Sequence, residues 1–346
     1  MKQIRIHGPD DVRLDEIEPP EPGPRDAVVE VRACGICGSD VGYVKLGGVA
    51  GPAREPTPLG HELAGVVRSV GSEVAGLTPG TRVVLNPMGG GNSIGNGSAE
   101  GGFCPELLVP NAAAGDVLFP IPDELPFDRA ALAEPLGVGM QAVNRAGIVP
   151  GEKVVIFGAG PIGLMALATC RYRGIDDVVV VDRSERRLEI ARALGARATL
   201  GAGDAGAAGA GESKAGAGPW DALAELQGRG SWLQMPIMAA ADAYIEATGA
   251  PPVIPDIIAH AKEGARISVV ALHRAPVPVD FMSVMAKALT IVGSIAYPED
   301  YTEMIAMLGS VDLTPAITHR FALDEFATAL DVARDPGAGG KVMIEF

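Results

Sequence analysis

The stretch KVVIFGAGPIGLMALATCRYRG, residues 153–174, decides the fold of this chain. It opens with an apolar run typical of a buried strand, continues with GAGPIG at 158–163, and ends in a segment that predicts a helix. A strand, a glycine turn and a helix in this order begin the βαβ unit that binds dinucleotides. The G-x-G-x-x-G pattern alone also occurs as an ordinary turn of α/β proteins, so its surroundings have to decide.

The sequence after this stretch supports the dinucleotide interpretation. DDVVVVDRS predicts a second strand and ERRLEIARALG a second helix, so strands and helices alternate as they do around a buried parallel sheet. Gly158 makes the tight turn, Gly160 lets the backbone approach a pyrophosphate, and Gly163 permits close packing of helix on strand. The N–H groups at the start of the helix attract phosphate. We therefore predict dinucleotide contacts at Gly158, Gly160, Pro161, Ile162 and Gly163.

Asp182, at the end of the second predicted strand, bears on the choice of cofactor. Its carboxylate can accept hydrogen bonds from both hydroxyls of an adenosine ribose and would repel a 2′-phosphate, so we expect NAD rather than NADP. Arg183, Arg186 and Arg187 stand nearby and could weaken that repulsion. Arg183 and Arg186 are better explained as a solvated helix face, whereas the spacing of Arg187 lets it reach the same ribose.

Outside this region the chain divides into two kinds of sequence. Residues 1–120 predict mainly short strands bounded by glycine and proline, whereas helices and Val/Ile-rich strands alternate from about residue 127. Residues 86–103 predict a loop, and the Gly/Ala-rich residues 201–218 predict a flexible insertion. A length of 346 residues favours two domains. We expect an α/β domain joined to a mainly β domain.

Composition argues against several classes of partner. A net charge of −15 repels phosphate backbones and anionic lipids, so we expect neither nucleic acid nor membranes as partners. No apolar run reaches the ~20 residues that span a bilayer. The start, MKQIRIHGPDDVRLDEIE, lacks the apolar centre of an export signal. We expect a cytoplasmic protein whose 4 cysteines form no disulfide framework, so that metal binding or catalysis is the better use of the close pair at 34 and 37.

Four residues qualify as ligands of a catalytic metal ion: Cys37, His61, Glu62 and Glu134. A catalytic zinc takes about three N, S or O ligands and keeps one position open. Cys37 could instead be a small buried apolar residue, His61 a core histidine and Glu62 a surface charge. Glu134 is harder to explain away, because it is a lone acid in the apolar stretch AALAEPLGVG, and a buried carboxylate needs a partner.

At these residues the chain resembles the medium-chain zinc-dependent alcohol dehydrogenases, in the branch of sorbitol, threonine and 2,3-butanediol dehydrogenases. GHELAGVVRSVGSEV (60–74) fits the zinc pattern of that family throughout. The resemblance implies a GroES-like catalytic domain at 1–145 and 287–346 around a Rossmann NAD-binding domain at 146–286. Further stretches resemble the family: CGICGSD (34–40), AEPLGVG (133–139), GAGPIG (158–163), EATG (246–249), GSIAY (293–297), THRF (318–321) and KVMI (341–344).

The resemblance also implies roles for single residues around the metal. Cys37 and His61 would be zinc ligands, and Asp40 would orient the histidine. Glu62 is a direct ligand in some relatives and lies behind the ligands in others. Glu134 falls where relatives have either a glutamate or a cysteine near the metal.

The other implied roles come with departures from the family pattern. Ser39 would take the proton of the substrate, but Gly42 stands where many relatives have the histidine that passes it onward. The lobe at 86–103 lacks the four closely spaced cysteines of a structural zinc site, so we expect one catalytic zinc and no structural zinc. Ala296 replaces an arginine that some polyol dehydrogenases use on substrate hydroxyls, which favours less polar alcohols or small diols.

The function expected is hydride transfer between a secondary alcohol (a small diol, a polyol or a less polar alcohol) and NAD, giving a ketone. Two alternatives stay open: a zinc-free quinone or enone reductase of the same superfamily, and a non-catalytic NAD-binding sensor. The expected partners are a small alcohol or ketone and, by resemblance, further copies of the chain in a homodimer or homotetramer.

Overall fold

The computed structural model describes residues 1–202, 220, 239–298, 301–335 and 337–346. The segment predicted to be a flexible insertion lies outside the described residues from residue 203 onward. The chain forms two compact units, which consist of Met1–Pro135 with Glu299–Phe346 and of Leu136–Pro298.

The first unit is built mainly from β-sheet. Its strands, numbered along the whole chain, are β1 (Lys2–Gly8), β2 (Asp11–Glu16), β3 (Ala27–Gly35), β4 (Thr57–Pro58), β5 (Glu62–Val70), β6 (Arg82–Leu85), β7 (Glu106–Val109), β8 (Leu118–Pro120), β15 (Ile317–Ala322) and β16 (Lys341–Glu345). They form a sheet β2-β1-β4 and a larger sheet β15-β16-β3-β5-β6-β8, with β7 also paired to β3. The inward residues Val29, Val31, Leu63, Val83 and Leu107 belong to one buried core.

The antiparallel pairing of β3 with β5 brings two distant motifs together. Gly35, the last residue of β3, lies opposite Glu62, the first residue of β5. Cys37 follows the end of β3 by two residues, and His61 directly precedes β5. Both side chains therefore leave the sheet at the same end.

A helix at Gly38–Leu46 (α1) differs from the mainly strand structure expected before residue 125. The carboxylate of Asp40 accepts a hydrogen bond of 2.9 Å from the backbone N–H of Cys37, and this contact closes the first turn. The helix ends at Gly47, whose φ of 77° lies in the left-handed region that favours glycine. Its small residues give little apolar periodicity, which explains why the sequence did not predict it.

The remaining helices are α2 (Phe127–Ala130), α3 (Ala133–Ala146), α4 (Pro161–Tyr172), α5 (Glu185–Ala193), α6 (Val253–His260), α7 (Phe281–Ala286), α8 (Thr302–Ser310) and α9 (Phe326–Arg334). Short 3₁₀ turns lie at Gly89–Gly91, Thr314–Ala316 and Leu323–Glu325. In the described part of the chain, none of these helices combines the length and the apolar character that crossing a membrane requires.

The second unit contains a parallel sheet of the strands β9 (Val154–Phe157), β10 (Val178–Asp182), β11 (Ala198–Gly201), β12 (Ala243–Glu246), β13 (Arg266–Val269) and β14 (Thr290–Gly293). Their order in the sheet is β11-β10-β9-β12-β13-β14. Counted from β9, this is the strand order 3-2-1-4-5-6 of a doubly wound dinucleotide-binding fold. The central strand β9 is buried along its whole length and leads directly into GAGPIG. The predicted α/β fold of this region is confirmed.

Candidate functional site

The structure brings three of the four predicted metal ligands together. One ligand atom each from Cys37, His61 and Glu62 lies within 4.8 Å of the other two. His61 and Glu62 are buried, whereas Cys37 is partly exposed. Among the residues that the structure describes, no other set of three His, Cys, Asp or Glu side chains comes this close. The first unit therefore contains one candidate metal centre.

Neighbouring side chains fix the orientation of the His61 ring. Its Nδ1 lies 3.5 Å from Oδ1 of the fully buried Asp40, and its Nε2 lies 3.4 Å from Oγ of Ser39. Burial alone lowers the pKa of His61, but the charges of Asp40 and Cys37 raise it well above the ordinary value. Burial also raises the pKa of Asp40. The ring thus sits in a strongly negative potential that favours a cation at Nε2.

Glu62 is held by a buried lysine that the sequence analysis missed. Nζ of Lys341 lies 2.7 Å from the Glu62 carboxylate and donates a further hydrogen bond of 3.1 Å to the carbonyl of Ile36. Burial lowers the pKa of Lys341, but Glu62 and Cys37 raise it above its ordinary value. A Cβ on Gly35 would lie 2.2 Å from Oε2 of Glu62, so a side chain there would displace the carboxylate from its contact with Lys341. A lone lysine opening the apolar run KVMI was the one signal for this contact.

Glu134 lies in the first turn of α3 and is 6% exposed, but it is not part of the three-residue group. Its charge still raises the pKa of both His61 and Lys341. Burial, with a further contribution from Glu134, raises the pKa of Tyr301 as well. Glu134 therefore acts electrostatically on the centre without sharing its closest contacts.

The chemistry of this donor set fits a zinc ion. A thiolate, an imidazole and a carboxylate are the ligand types that zinc takes in catalytic sites, where one position stays open. The partly exposed Cys37 lies at the accessible side of the group. Nδ1 of His61 and Oδ1 of Asp40 have no other hydrogen-bond partner among the described residues. This pairing leaves Nε2 as the nitrogen available to a metal.

Ser39 and Tyr43 stand one helical turn apart on α1, and both flank the metal centre. Burial raises the pKa of Tyr43 above its ordinary value, and a hydrogen bond with the Ser39 side chain offsets part of this rise. The Tyr43 hydroxyl donates a hydrogen bond of 3.1 Å to Oδ1 of Asn96. Tyr43 was not predicted from the sequence; its position four residues after Ser39 was the available signal. Gly42 is buried between them and contributes no side chain.

In the second unit, the GAGPIG turn has the backbone geometry expected of it. Gly158 has φ +101°, which favours glycine, and a Cβ on Gly163 would lie 1.8 Å from the carbonyl oxygen of Gly158. Gly160 is the N-cap of α4, and Pro161 occupies its first turn, followed by the partly buried Ile162. The free N–H groups of this turn form an anion-binding end of a helix.

Asp182 and Arg187 both reach toward this turn. One carboxylate oxygen of Asp182 accepts a hydrogen bond of 2.7 Å from the backbone N–H of Ala159, and the other accepts one of 2.8 Å from Ser184. A guanidinium nitrogen of Arg187 lies 3.9 Å from the Cβ position of Gly160. The two charged residues predicted to meet the ribose therefore lie at the glycine turn.

Comparison with known proteins places the chain in a family. A family model described as alcohol dehydrogenase GroES-like domain matches residues 23–123, and one described as zinc-binding dehydrogenase matches residues 161–310. Sorbitol dehydrogenase of Homo sapiens is 32% identical over 360 residues, which cover 98% of this chain and 94% of that protein. The chain belongs to the medium-chain zinc-dependent alcohol dehydrogenase family. The family and the fold class expected from the sequence are confirmed.

Two further comparisons agree with this assignment to the zinc-dependent alcohol dehydrogenases. L-threonine 3-dehydrogenase of Aeromonas hydrophila is 30% identical over 368 residues, which cover 100% of this chain and 99% of that protein. The crystal structure of 2R,3R-butanediol dehydrogenase from Bacillus subtilis superimposes with a TM-score of 0.83 at 24% identity, covering 100% and 99% of the two chains, and shows the fold. The roles of single site residues and the domain boundaries given above stay predictions.

Proposed function

We propose that this zinc-dependent dehydrogenase oxidises a secondary alcohol to a ketone and passes the hydride to NAD. The convergence of Cys37, His61 and Glu62 carries the proposal, because a zinc-free reductase or a sensor does not need these three side chains together. The glycine turn and Asp182 support the dinucleotide half of the proposal independently.

We assign Cys37, His61 and Glu62 to the zinc ion, with Glu134 as a further candidate ligand. Bound zinc is a Lewis acid and makes the hydroxyl of the substrate easier to deprotonate. Lys341 competes for the carboxylate of Glu62, and the candidacy of Glu134 is supported by its contribution to the raised pKa of His61. The carboxylate of either Glu62 or Glu134 can serve as the third zinc ligand beside Cys37 and His61.

The proton of the substrate hydroxyl is proposed to leave through Oγ of Ser39. This hydroxyl lies 3.4 Å from Nε2 of His61 on a partly exposed part of α1. Since residue 42 is glycine, no imidazole follows Ser39, and the proton passes to water or to a ribose hydroxyl. A positioned proton shuttle contributes ~10²–10⁴-fold to the rate.

NAD is the proposed hydride acceptor, and NADP is less favoured. The Asp182 carboxylate is fixed by two backbone N–H groups, so its charge cannot easily swing away from a 2′-phosphate. Arg187 is proposed to bind the same ribose or the adjoining phosphate. A steady-state comparison of NAD with NADP tests this preference; equal kcat/KM for both cofactors would contradict it.

We propose one zinc ion per subunit, because buried apolar side chains and hydrogen bonds stabilise the lobe at 86–103, where many relatives have a structural zinc ion. Ile94 and Phe103 are fully buried, and Asn92 donates a hydrogen bond of 2.8 Å to the carbonyl of Pro110. Elemental analysis of the purified protein tests the proposal. One equivalent of zinc supports it, two point to a structural site, and none favours the zinc-free reductase.

A screen of alcohols with NAD, followed by the absorbance of NADH, tests the substrate class. Sorbitol, threonine, 2,3-butanediol and aryl carbinols cover the relatives and the less polar alternatives. Ala296 offers no charged group to substrate hydroxyls, so we expect small diols and less polar alcohols to exceed sorbitol in kcat/KM. Activity with none of these alcohols would favour the sensor.

A homodimer is the oligomer that the described surface supports best. Among the strands that the structure describes, β14 pairs only with β13, and Ile291 and Ile295 near this edge are 37% and 83% exposed. Phe281 and Met285 of the second unit are also exposed. An open apolar strand edge invites a second strand. Ile295→Lys is expected to lower the mass measured by light scattering, whereas a monomeric parent protein would contradict the dimer.

The cytoplasmic location stays a proposal.

A further inference from the structure

A buried glutamate and a histidine in the second unit have no role in the chemistry proposed above. Glu246 ends strand β12 and its side chain is 0% exposed; His273 lies beyond the end of β13 and is 14% exposed. His273 Nε2 lies 2.8 Å from Oε2 of Glu246. The two residues thus join the segments that follow two neighbouring strands.

Glu246 is also the anchor of its own turn. Its Oε1 accepts hydrogen bonds from the backbone N–H of Thr248 at 2.8 Å and of Gly249 at 2.9 Å, and from the Thr248 hydroxyl. A carboxylate with three donors on one oxygen is an acceptor at the other, so Nε2 of His273 carries the proton. Nδ1 of His273 has no hydrogen-bond partner among the described residues, so Glu246 sets the orientation of the ring.

The turn held by Glu246 packs against the predicted phosphate-binding turn. The backbone N–H of Ala247 donates a hydrogen bond of 2.8 Å to the carbonyl of Phe157. A Cβ on Gly158 would lie 2.9 Å from the backbone of Ala247 and 3.1 Å from Cγ2 of Thr248. On its other side, Gly249 approaches the carbonyl oxygen of Leu272, just before His273. A shift of the Glu246 turn therefore moves the backbone against which Gly158 rests.

We propose that His273 and Glu246 form a positioning pair for the bound dinucleotide, an inference that rests on the proposed NAD-dependent function. The pair fixes the two segments at the carboxyl ends of β12 and β13, the edge of a parallel sheet where ligands bind. His273 acts through Glu246 and the turn 246–249, and the ligand class is a nicotinamide dinucleotide.

The test compares His273→Leu with His273→Gln in the zinc-loaded protein. Leucine removes the donor to Glu246, whereas glutamine keeps an N–H near the position of Nε2. We expect the Kd for NADH, measured by calorimetry, to rise about tenfold or more in His273→Leu, because binding must then order a turn that the pair no longer fixes, and to recover largely in His273→Gln. Zinc content and the KM for the alcohol at saturating NAD should stay at the parent values.

Three results would overturn the proposal. The first is an unchanged Kd for NADH in a folded His273→Leu protein while the parent binds NADH, which leaves the proposed function intact. The second is a Kd that rises equally in the leucine and glutamine variants. The third is a parent protein that binds no NADH, which removes the proposed function as well. If His273→Leu does not fold, His273→Ala takes its place. A Kd for NADH that stays at the parent value in His273→Gln and rises in His273→Ala supports the pair. Equal Kd values in these two variants reject it.

Discussion

Lys341 and Glu62 carry opposite charges into a place that solvent hardly reaches. Their side chains are 3% and 0% exposed, and the partly exposed thiol of Cys37 lies beside them. Removing an ion from water costs several kcal/mol, and a close partner offsets that cost. Each charge therefore offsets the cost of burying the other, and Glu62 contributes to raising the pKa of Lys341.

Lys341→Met is expected to destabilise the metal-free protein by roughly 3–5 kcal/mol, because it leaves the Glu62 carboxylate buried without its cation. Denaturant unfolding of the chelated protein measures the change. Lys341→Arg keeps the charge and serves as the control. A loss in the arginine variant as large as that in the methionine variant would show that side-chain shape, rather than charge, decides the stability.

Cys37, the proposed metal ligand, and Ser39, the proposed proton acceptor, should differ in how much activity their loss removes. Cys37→Ala is expected to abolish zinc retention and turnover, because the thiolate is one of three close donors. Ser39→Ala is expected to keep full zinc content and to lower kcat by ~10²–10⁴-fold. Zinc analysis and steady-state kinetics on both variants test this ranking. Equal losses of activity with zinc retained in both would contradict it.

At the residue scale, the sequence predicted the residues that carry a local pattern. Cys37 and His61 stand in recognisable motifs, and the sheet register brings them together as expected. Lys341 lies 279 residues from Glu62, and the two become neighbours because β16 and β5 both pair with β3. The local spacing of residues in the sequence cannot predict a contact that depends on the order of strands in a sheet.

At the scale of elements, the step from β9 through the glycine turn into α4 depends on very close packing. The carbonyl oxygen of Gly158 occupies the space that a side chain at residue 163 would need. The N–H groups at the start of α4 keep their direction only if this turn keeps its shape.

Gly163→Ala is expected to lower Tm and to abolish NADH binding, because its Cβ would lie 1.8 Å from the Gly158 oxygen. Gly309→Ala, in an exposed turn of α8 with no atom within 4 Å of the new Cβ, is the matched control. It should leave NADH binding unchanged and raise stability by up to about 1 kcal/mol. Thermal denaturation and calorimetry distinguish the two. Parent-like NADH binding in Gly163→Ala would refute the packing argument.

The elements were predictable where apolar periodicity was strong. VVIF and VVVVD gave buried strands, and α4 followed the glycine turn as expected. Helix α1 was missed because CGSDVGYVKL mixes small and polar residues, and its N-cap is a cysteine, which is not among the preferred capping residues. Tertiary position, rather than intrinsic propensity, determines that helix.

At the scale of the whole molecule, the metal centre links segments that are far apart in sequence. Cys37 follows β3, His61 precedes β5, and Lys341 begins β16. A ligand that binds only the folded state stabilises it by mass action. Zinc is therefore expected to stabilise the fold as well as support the chemistry.

Removing zinc with a chelator is expected to lower Tm by several degrees and to abolish turnover, and adding Zn²⁺ should restore both. At a free metal concentration of ~100 times Kd the stabilisation is about 2.7 kcal/mol. Differential scanning calorimetry with and without Zn²⁺ measures the shift. Cys37→Ala is the control and should show no zinc-dependent rise in Tm. A Tm that does not change with zinc in the parent protein would show that the metal ion does not stabilise the fold.

The backbone hydrogen bonds of Asp182 limit which substitutions can change the coenzyme preference. The same carboxylate that is proposed to disfavour an extra phosphate also accepts hydrogen bonds from the backbone N–H groups of Ala159 and Ser184. A substitution that welcomes NADP by deleting this charge therefore strands two amides, at a cost of about 1–3 kcal/mol for each one that stays dry. Asparagine removes the charge and keeps an acceptor for one of the two amides, because its second side-chain group is an NH₂ donor, whereas glycine or alanine keeps neither acceptor. Redesign toward NADP should begin from asparagine.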